Sequence, residues 1–347
     1  MISFRTQRQA ILVLGMHRSG TSALTRVISL CGAGLPQMIM APAPDNNETG
    51  FWESRVLADF HDEVLAAMES TWSDVRSLPK TWFESDAASI WRERLAALID
   101  DEFGMIPLFV VKDPRLCRLL PLWLPVLEAG SIVPRVVIPL RHPLEVAASL
   151  QRREGFATGL GLMLWLCHML AAERDSRGLP RSFVSYDEVL TDWRGAMTRI
   201  GTDLGIDWQI GEATEAAIAT FLSPDLRHHA VAGAEGLPPW VAQAHAALGP
   251  AVIGGSVDRA EMDRIAAILT DAETHFGPVI GALDELLAQR TAERQHWIDA
   301  AVERYAVIED LRAEIERRVP RPVGDGERWW RRLFGGRTAA SPPADQV

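Results

Sequence analysis

The chain has 347 residues, enough for one large α/β domain with an appendage, and its 48% hydrophobic and 23% charged content fits a packed core rather than a disordered polymer. A formal net charge of -11 excludes a nucleic-acid binder that works through its overall field, so any anionic ligand must be drawn by a local cluster of Arg and His. Three cysteines, Cys31, Cys117 and Cys167, without C-x-x-C spacing, exclude a disulfide framework and a zinc site and fit a reducing compartment. The first apolar run is too short for a signal peptide and no small-residue cleavage site follows it, which predicts a cytoplasmic protein.

That run, "AILVL" (Ala10 to Leu14), is continuous, as expected of a strand buried on both faces of a parallel sheet. It stops at "GMHRSGTS" (Gly15 to Ser22), which has the outline of a phosphate-binding loop, G-x-x-x-x-G followed by two hydroxyl residues. The next segment, "SALTRVISLCGAG", places Leu24, Val27, Ile28 and Cys31 on one helical face and ends at Gly32 and Gly34. Strand, glycine-bearing loop and helix in this order form a setting in which backbone N–H groups at a helix N-terminus hold an anion. After the Pro-rich "APAPDNN", a helix is predicted from about Glu53, and the stretch to Phe103 reads as mostly helical and rich in Trp. Three further apolar runs lie in "MIPLFVVKDPR", "VPRVVIPLRHP" and "RSFVSYDEV"; they stop at Lys112-Asp113, at Arg141 and near Tyr186. Apolar runs alternating with helical patterns predict a mostly parallel α/β sheet, whose ligands sit beyond the carboxyl ends of the strands. The four polar clusters all fall there.

Between Glu154 and Glu173 lies "GFATGLGLMLWLCHMLAA", close to the ~20 residues of a membrane span, but three glycines and His168 favour a buried core helix. The chain turns loop-rich from Pro224 to Ser256, and "DRAEMDRIAAILTDAETHFG" then resumes a helix. From Leu283 to Arg318 a long charged helix is expected, with Leu287, Ala301, Ile308 and Ile315 seven or fourteen apart and Arg294 interrupting the seam. It reads either as a coiled coil that makes a homodimer or as a solvated helix packed on the domain. The tail carries the basic-aromatic patch "RWWRRLFGGR", suited to a weak contact with an anionic membrane surface, in a segment otherwise expected to be disordered. The expected division is a domain over 1–280, a long helix over 281–319 and a tail over 320–347.

Thr21 stands where a nucleoside triphosphatase carries the lysine that, with Mg²⁺, holds the β- and γ-phosphates. A second motif, "RHPLEVAAS", follows the third strand and sets Arg141 and Ser149 in R-x-P-x-x-x-x-x-S spacing. The pairing of "RSGTS" with "RHPLEVAAS" resembles the two sulfonate-donor motifs of sulfotransferases that use PAPS, 3′-phosphoadenosine 5′-phosphosulfate. With "GFWES", "KDPR" and "YDEVL" the set is similar to bacterial sulfotransferase-family proteins over about residues 10 to 230, and is silent on the acceptor.

The resemblance implies a three-layer, P-loop-like α/β fold with a mostly parallel central sheet, a helical insert and a C-terminal helical extension. It implies PAPS as co-substrate, no metal, and as acceptor a hydroxyl of a carbohydrate, glycolipid or small metabolite. His17, Arg18, Ser19, Gly20, Thr21 and Ser22 would then hold the 5′-phosphate, with Arg18 meeting the charge on the leaving group. Arg141 and Ser149 would hold the 3′-phosphate, and Arg227 in "DLRHH" would close over the nucleotide. Glu53 is the first candidate for the general base, followed by Asp113, then Glu48 and His17. Lys112 would reach the transferring sulfate or pair with Asp113, Arg115 would be structural, and Tyr186 with Asp187 architectural. Trp52, Trp72, Trp82 and Trp91 would face the acceptor. Two other classes stay open: a nucleoside triphosphate-dependent kinase or NTPase with Asp113 as its metal-binding aspartate, and a non-catalytic nucleotide-binding partner protein.

Overall fold

A computed structural model describes residues 7–42, 50–222 and 236–318. The apolar runs become four strands, β1 (Gln9–Val13), β2 (Leu108–Lys112), β3 (Val133–Leu140) and β4 (Arg181–Ser185). All pair in parallel, in the order β2-β1-β3-β4, with Leu12 of β1 opposite Val111 and Val136. Helices follow in chain order: α1 (Thr21–Leu30), α2 (Arg55–Ala67), α3 (Asp86–Phe103), α4 (Leu116–Ala129), α5 (Pro143–Glu154) and α6 (Thr158–Asp175). Beyond β4 come α7 (Tyr186–Thr191), α8 (Trp193–Leu204), α9 (Glu212–Phe221), α10 (Pro239–Val252) and α11 (Arg259–Arg318).

A parallel sheet has to be covered on both faces, and the alternation along β1 does this. Ala10 and Leu12 join a core built with α2 to α6 and α10, whereas Ile11 and Val13 join a second core with α1, α8 and α9. The result is the expected three-layer α/β fold, with α2, a short 3₁₀ turn (Lys80–Glu84) and α3 as the helical insert. The strand order also locates the site. From β1 the chain moves to a neighbour, β2, and then crosses back to β3 on the other side of β1, so the strand order reverses between the carboxyl ends of β1 and β3.

The uncharged run after Glu154 is a core helix: Leu164, Trp165, Leu166 and Met169 of α6 are fully buried. No helix of the described residues is long and apolar enough to cross a membrane. One of its glycines has a packing role, because a Cβ on Gly161 would lie 2.9 Å from Ala147 Cα of α5.

The chain divides into two compact units, 1–275 and 276–347. Within the first, α11 buries Met262 and Ile265. The second begins next to Pro278, which withdraws a backbone donor from the helix interior; its apolar residues, including Leu283, Leu287 and Trp297, are exposed. The basic-aromatic patch of the tail and Arg227 lie outside the described residues, as does Glu48.

Gly161→Leu is expected to cost about 3 kcal/mol, since no space exists for the side chain between α5 and α6. Gly159→Ala in the same helix meets nothing within 4 Å and should stabilise by about 0.5–1 kcal/mol. Urea unfolding of the two variants measures both signs.

Candidate functional site

The loop between β1 and α1 is anchored at both ends. Leu14 N donates to Val137 O of β3 at 2.9 Å, and Ser19 N closes a turn onto Met16 O at 3.1 Å. Arg18 (φ 68°) and Gly20 (φ 82°) both have left-handed backbones, and Gly20 is the N-cap of α1. At Gly20 this conformation and the lack of a side chain are both required, because a Cβ would fall 2.0 Å from the ring of Tyr186. The same ring receives the Arg141 guanidinium, whose Cζ stands 4.6 Å from its centroid. Tyr186, at the end of β4, thus braces the loop and the arginine together.

Arg18 and Ser149 are 131 residues apart in sequence, yet Arg18 Nε donates to Ser149 Oγ at 2.7 Å. Arg141 Nη1 donates to the Arg18 carbonyl at 2.9 Å, and Arg141 Nε to Glu145 at 2.8 Å. The two motifs therefore meet at the reversal in strand order, with Glu145, one helical turn on from Arg141, orienting its guanidinium. His142 is the N-cap of α5, its ring accepting from Leu144 N, and Pro143 opens the helix. Burial, then Arg153, Arg141 and Arg152, bring the Arg18 pKa down to about 10. Such a shift records a concentration of positive charge in low dielectric, a setting that an anion relieves. It sits within a chain whose formal net charge is -11.

Beside the loop stands a second cluster. Lys112 Nζ, at the end of β2, donates to Ser22 Oγ at 3.1 Å and to the Phe51 carbonyl at 3.2 Å, and forms a buried ion pair with Glu53. An ammonium thus reaches the loop from the neighbouring strand. Glu53 lies one residue before the N-cap of α2, Ser54, whose Oγ accepts from Leu57 N at 3.1 Å. It is held by a short antiparallel bridge, Met40 N to Glu53 O at 2.8 Å, and not in the first turn of the helix. Burial raises the Glu53 pKa against the opposing pull of Lys112.

Asp113 is engaged differently. Its carboxylate accepts from Arg115 N (2.8 Å), from Arg115 Nη1 (3.1 and 3.2 Å) and from His61 Nδ1 (3.0 Å). Burial would push its pKa up, but Arg115 and His61 outweigh it and hold the carboxyl well below the usual range. The tautomer of the fully buried His61 follows from its other neighbour. Trp123 Nε1, which can only donate, gives its hydrogen to His61 Nε2 at 2.9 Å, so the His61 proton sits on Nδ1 and goes to Asp113. Arg115 continues the chain to Asp62 at 2.6 and 2.8 Å. A carboxylate so thoroughly stabilised as an anion is a poor proton acceptor.

His17 is half-buried, with its ring 4.6 Å from that of Trp72, which stacks on Phe156 at 5.6 Å. Burial, then Arg153 and Arg115, put its pKa well below the ordinary histidine value, so it is neutral at pH 7. Its Nε2 and the Oγ of Ser19 are buried without a hydrogen-bond partner among the described residues. Of the four tryptophans expected at the acceptor, Trp72 has a ring contact with the loop, through His17. Trp52 lies under the Arg26 guanidinium, Trp82 packs on Phe83 and Trp91 on Phe60.

Sequence reasoning missed His61, Trp123, Glu145, Arg153 and Phe156. Glu145, four residues after Arg141, had a readable signal in its helical spacing. Arg153, four residues after Ser149 on α5, had the same kind of signal, whereas His61, Trp123 and Phe156 reach the site through tertiary contacts.

No protein-family model matches the chain, and no curated protein matches it. Among solved structures it is similar to sulfotransferase STF1 from Mycobacterium tuberculosis, with 15% identity and a TM-score of 0.35 over 61% of this chain and 71% of that one. It is also similar to the sulfotransferase domain from the curacin biosynthetic pathway, with 14% identity and a TM-score of 0.32 over 76% of this chain and 98% of that one. Likeness at this level carries no argument about activity, and the functional reading rests on this chain's own side chains.

Gly20→Ala is expected to lower stability by about 3 kcal/mol, combining a left-handed alanine with a side chain driven into the Tyr186 ring. Chemical denaturation of this variant with and without Tyr186→Ala checks it: the double change should recover the steric part and leave the backbone part.

Proposed function

We propose that the chain is a sulfotransferase, moving the sulfuryl group of PAPS to a hydroxyl of a sugar-bearing or small-metabolite acceptor. The observation that carries this reading is the meeting of Arg18, Arg141 and Ser149 through bonds of 2.7 and 2.9 Å at the head of α1. A donor with phosphate groups at both 3′ and 5′ positions needs two anion-holding elements side by side, and this junction supplies them. The buried Ser19 Oγ and His17 Nε2, without a hydrogen-bond partner among the described residues, and the neighbouring arginines fit such an anion.

The roles follow from the chemistry of each side chain. The first N–H groups of α1, with the hydroxyls of Thr21 and Ser22, hold the 5′-phosphate at the positive end of the helix dipole. Arg141 and Ser149 hold the 3′-phosphate, with Glu145 fixing the angle of the guanidinium. Arg18 meets the charge that grows on the oxygen between phosphate and sulfate as their bond breaks. Glu53 takes the proton of the acceptor hydroxyl, a task that its burial favours, and Lys112 spans the gap between this base and Ser22 of the loop. Asp113 positions β2 and Arg115 and is not assigned the proton. Trp72 offers an aromatic face near His17 to an acceptor ring. A sulfuryl group carries less negative charge than a phosphoryl group, so these side chains suffice without a metal in the proposed reaction.

A second reading has one observation in its favour. Lys112 brings an ammonium to Ser22 of the loop, which could serve a nucleoside triphosphate in place of the missing loop lysine. Calorimetric titration with adenosine 3′,5′-diphosphate and with ATP, each with and without Mg²⁺, separates the two. Metal-independent binding of the diphosphate, with ATP ignored, is expected. ATP binding that needs Mg²⁺ and is indifferent to a 3′-phosphate would overturn the sulfotransferase reading.

Arg18→Ala should lower kcat by about 10²–10³-fold while weakening diphosphate binding far less, because its charge partner develops mainly in the transition state. Arg141→Ala should bring the preference for 3′,5′-diphosphate over 5′-monophosphate down by about ten- to a hundredfold, read from the same titrations. Glu53→Gln should lose about 10²–10⁴-fold in turnover with the diphosphate still bound; retained turnover would move the base elsewhere.

A further inference from the structure

Beyond residue 275, α11 carries a seam that the sequence pattern makes legible to the level of single layers. Ile280, Leu287, Arg294, Ala301, Ile308 and Ile315 recur every seven residues. Phe276, Leu283, Arg290, Trp297, Arg304 and Leu311 form a second series of the same period, three residues after and four before members of the first. This is the 3-4 spacing of a coiled-coil seam. The large apolar members of the two series are 40–66% exposed, over about 60 Å of helix at ~1.5 Å per residue. An apolar stripe of that length is stable in water only when covered.

We propose that this helix pairs with the same helix of a second copy of the chain, as an antiparallel coiled coil centred between Arg294 and Trp297. Charge selects both the direction and the register. In a parallel, in-register pair Arg290, Arg294 and Arg304 would each face their own copy, stacking three like-charge layers in the seam. In the antiparallel pair Arg294 faces Trp297, where guanidinium and indole attract. Arg304 faces Leu287 and Arg290 faces Ala301, so each arginine lies along a small or aliphatic partner with its head reaching solvent. The outer layers are wholly apolar: Ile280 with Leu311, Leu283 with Ile308, and Phe276 with Ile315. Sliding by one heptad either way sets arginine against arginine, Arg294 against Arg304 in one direction and against Arg290 in the other. Among these neighbouring registers, only the central one has no like-charge layer, and it uses every member of both series. The arginines lower the stability of the seam and specify its alignment, a known use of polar residues at such positions.

The test uses the full chain with Cys167→Ser, since Cys31 and Cys117 are buried and Cys167 is the half-buried thiol. Ile280→Cys and Leu311→Cys are prepared separately, then mixed and oxidised. A disulfide-linked dimer should form in the mixture and in neither variant alone. Self-linking of Ile280→Cys alone, by contrast, would indicate a parallel pair and overturn the proposal, as would a single chain mass for the wild-type protein by light scattering at tens of micromolar. A dimer by mass that fails to cross-link in the mixture places the interface elsewhere and also overturns it. As an independent check, Leu283→Glu with Ile308→Glu should halve the mass while leaving near-ultraviolet circular dichroism of the first unit unchanged; a dimer that persists would sink the assignment.

Discussion

The bond from Arg141 to the carbonyl of Arg18, at 2.9 Å, is the contact on which the arrangement of the site depends. A loop turning from a strand into a helix leaves several backbone groups without intrahelical partners, and its own residues cannot hold it against a neighbour. Here the end of β3 reaches across to do so, and Ser149 on α5 takes the Arg18 side chain as well. Two segments far apart in the chain become one surface. That is possible because β3 lies directly beside β1, although β2 comes between them in sequence.

Charge is the second constraint. Burial, together with Arg153, Arg141 and Arg152, depresses the Arg18 pKa, and Glu145, itself buried, partly answers that positive charge through its ion pair with Arg141. The residual positive charge is local and directional, which a chain with net charge -11 could not achieve by overall field. At the end of β2 the same economy takes a different form. Asp113 is engaged by Arg115 and His61, while Glu53 is ion-paired with Lys112. Two buried carboxylates on adjoining segments thus have their pKa values pushed in opposite directions, one held as an anion and the other drawn toward the proton.

Several elements were legible from local pattern. The strands at Ala10, Leu108, Val133 and Arg181 declared themselves as apolar runs, and the glycine-bearing loop as punctuation between strand and helix. Pro143 carried the chemistry of a helix start, whereas the capping role of His142 is visible only in the structure. Glu53 was read as opening a helix, but the helix begins after Ser54, because a short backbone bridge to Met40 competes for that residue. The tryptophans misdirect a reader of composition: Trp123 donates into a buried network, and Trp165 fills the core.

By itself the sequence determined what is local: which segments extend, where the chain turns, which residues carry charge at strand ends, and where a seven-residue seam lies on a long helix. These follow from side-chain period, glycine freedom and capping, each acting over a few residues. Only the tertiary structure decided which of those residues meet. Arg18 with Ser149, Lys112 with Ser22, and the chain from Trp123 through His61 to Asp113 span 131, 90 and up to 62 positions. Their pairing follows from the order of strands in the sheet and from burial. Both are properties of the packed whole, in which lowered dielectric and shared partners turn ordinary side chains into a site.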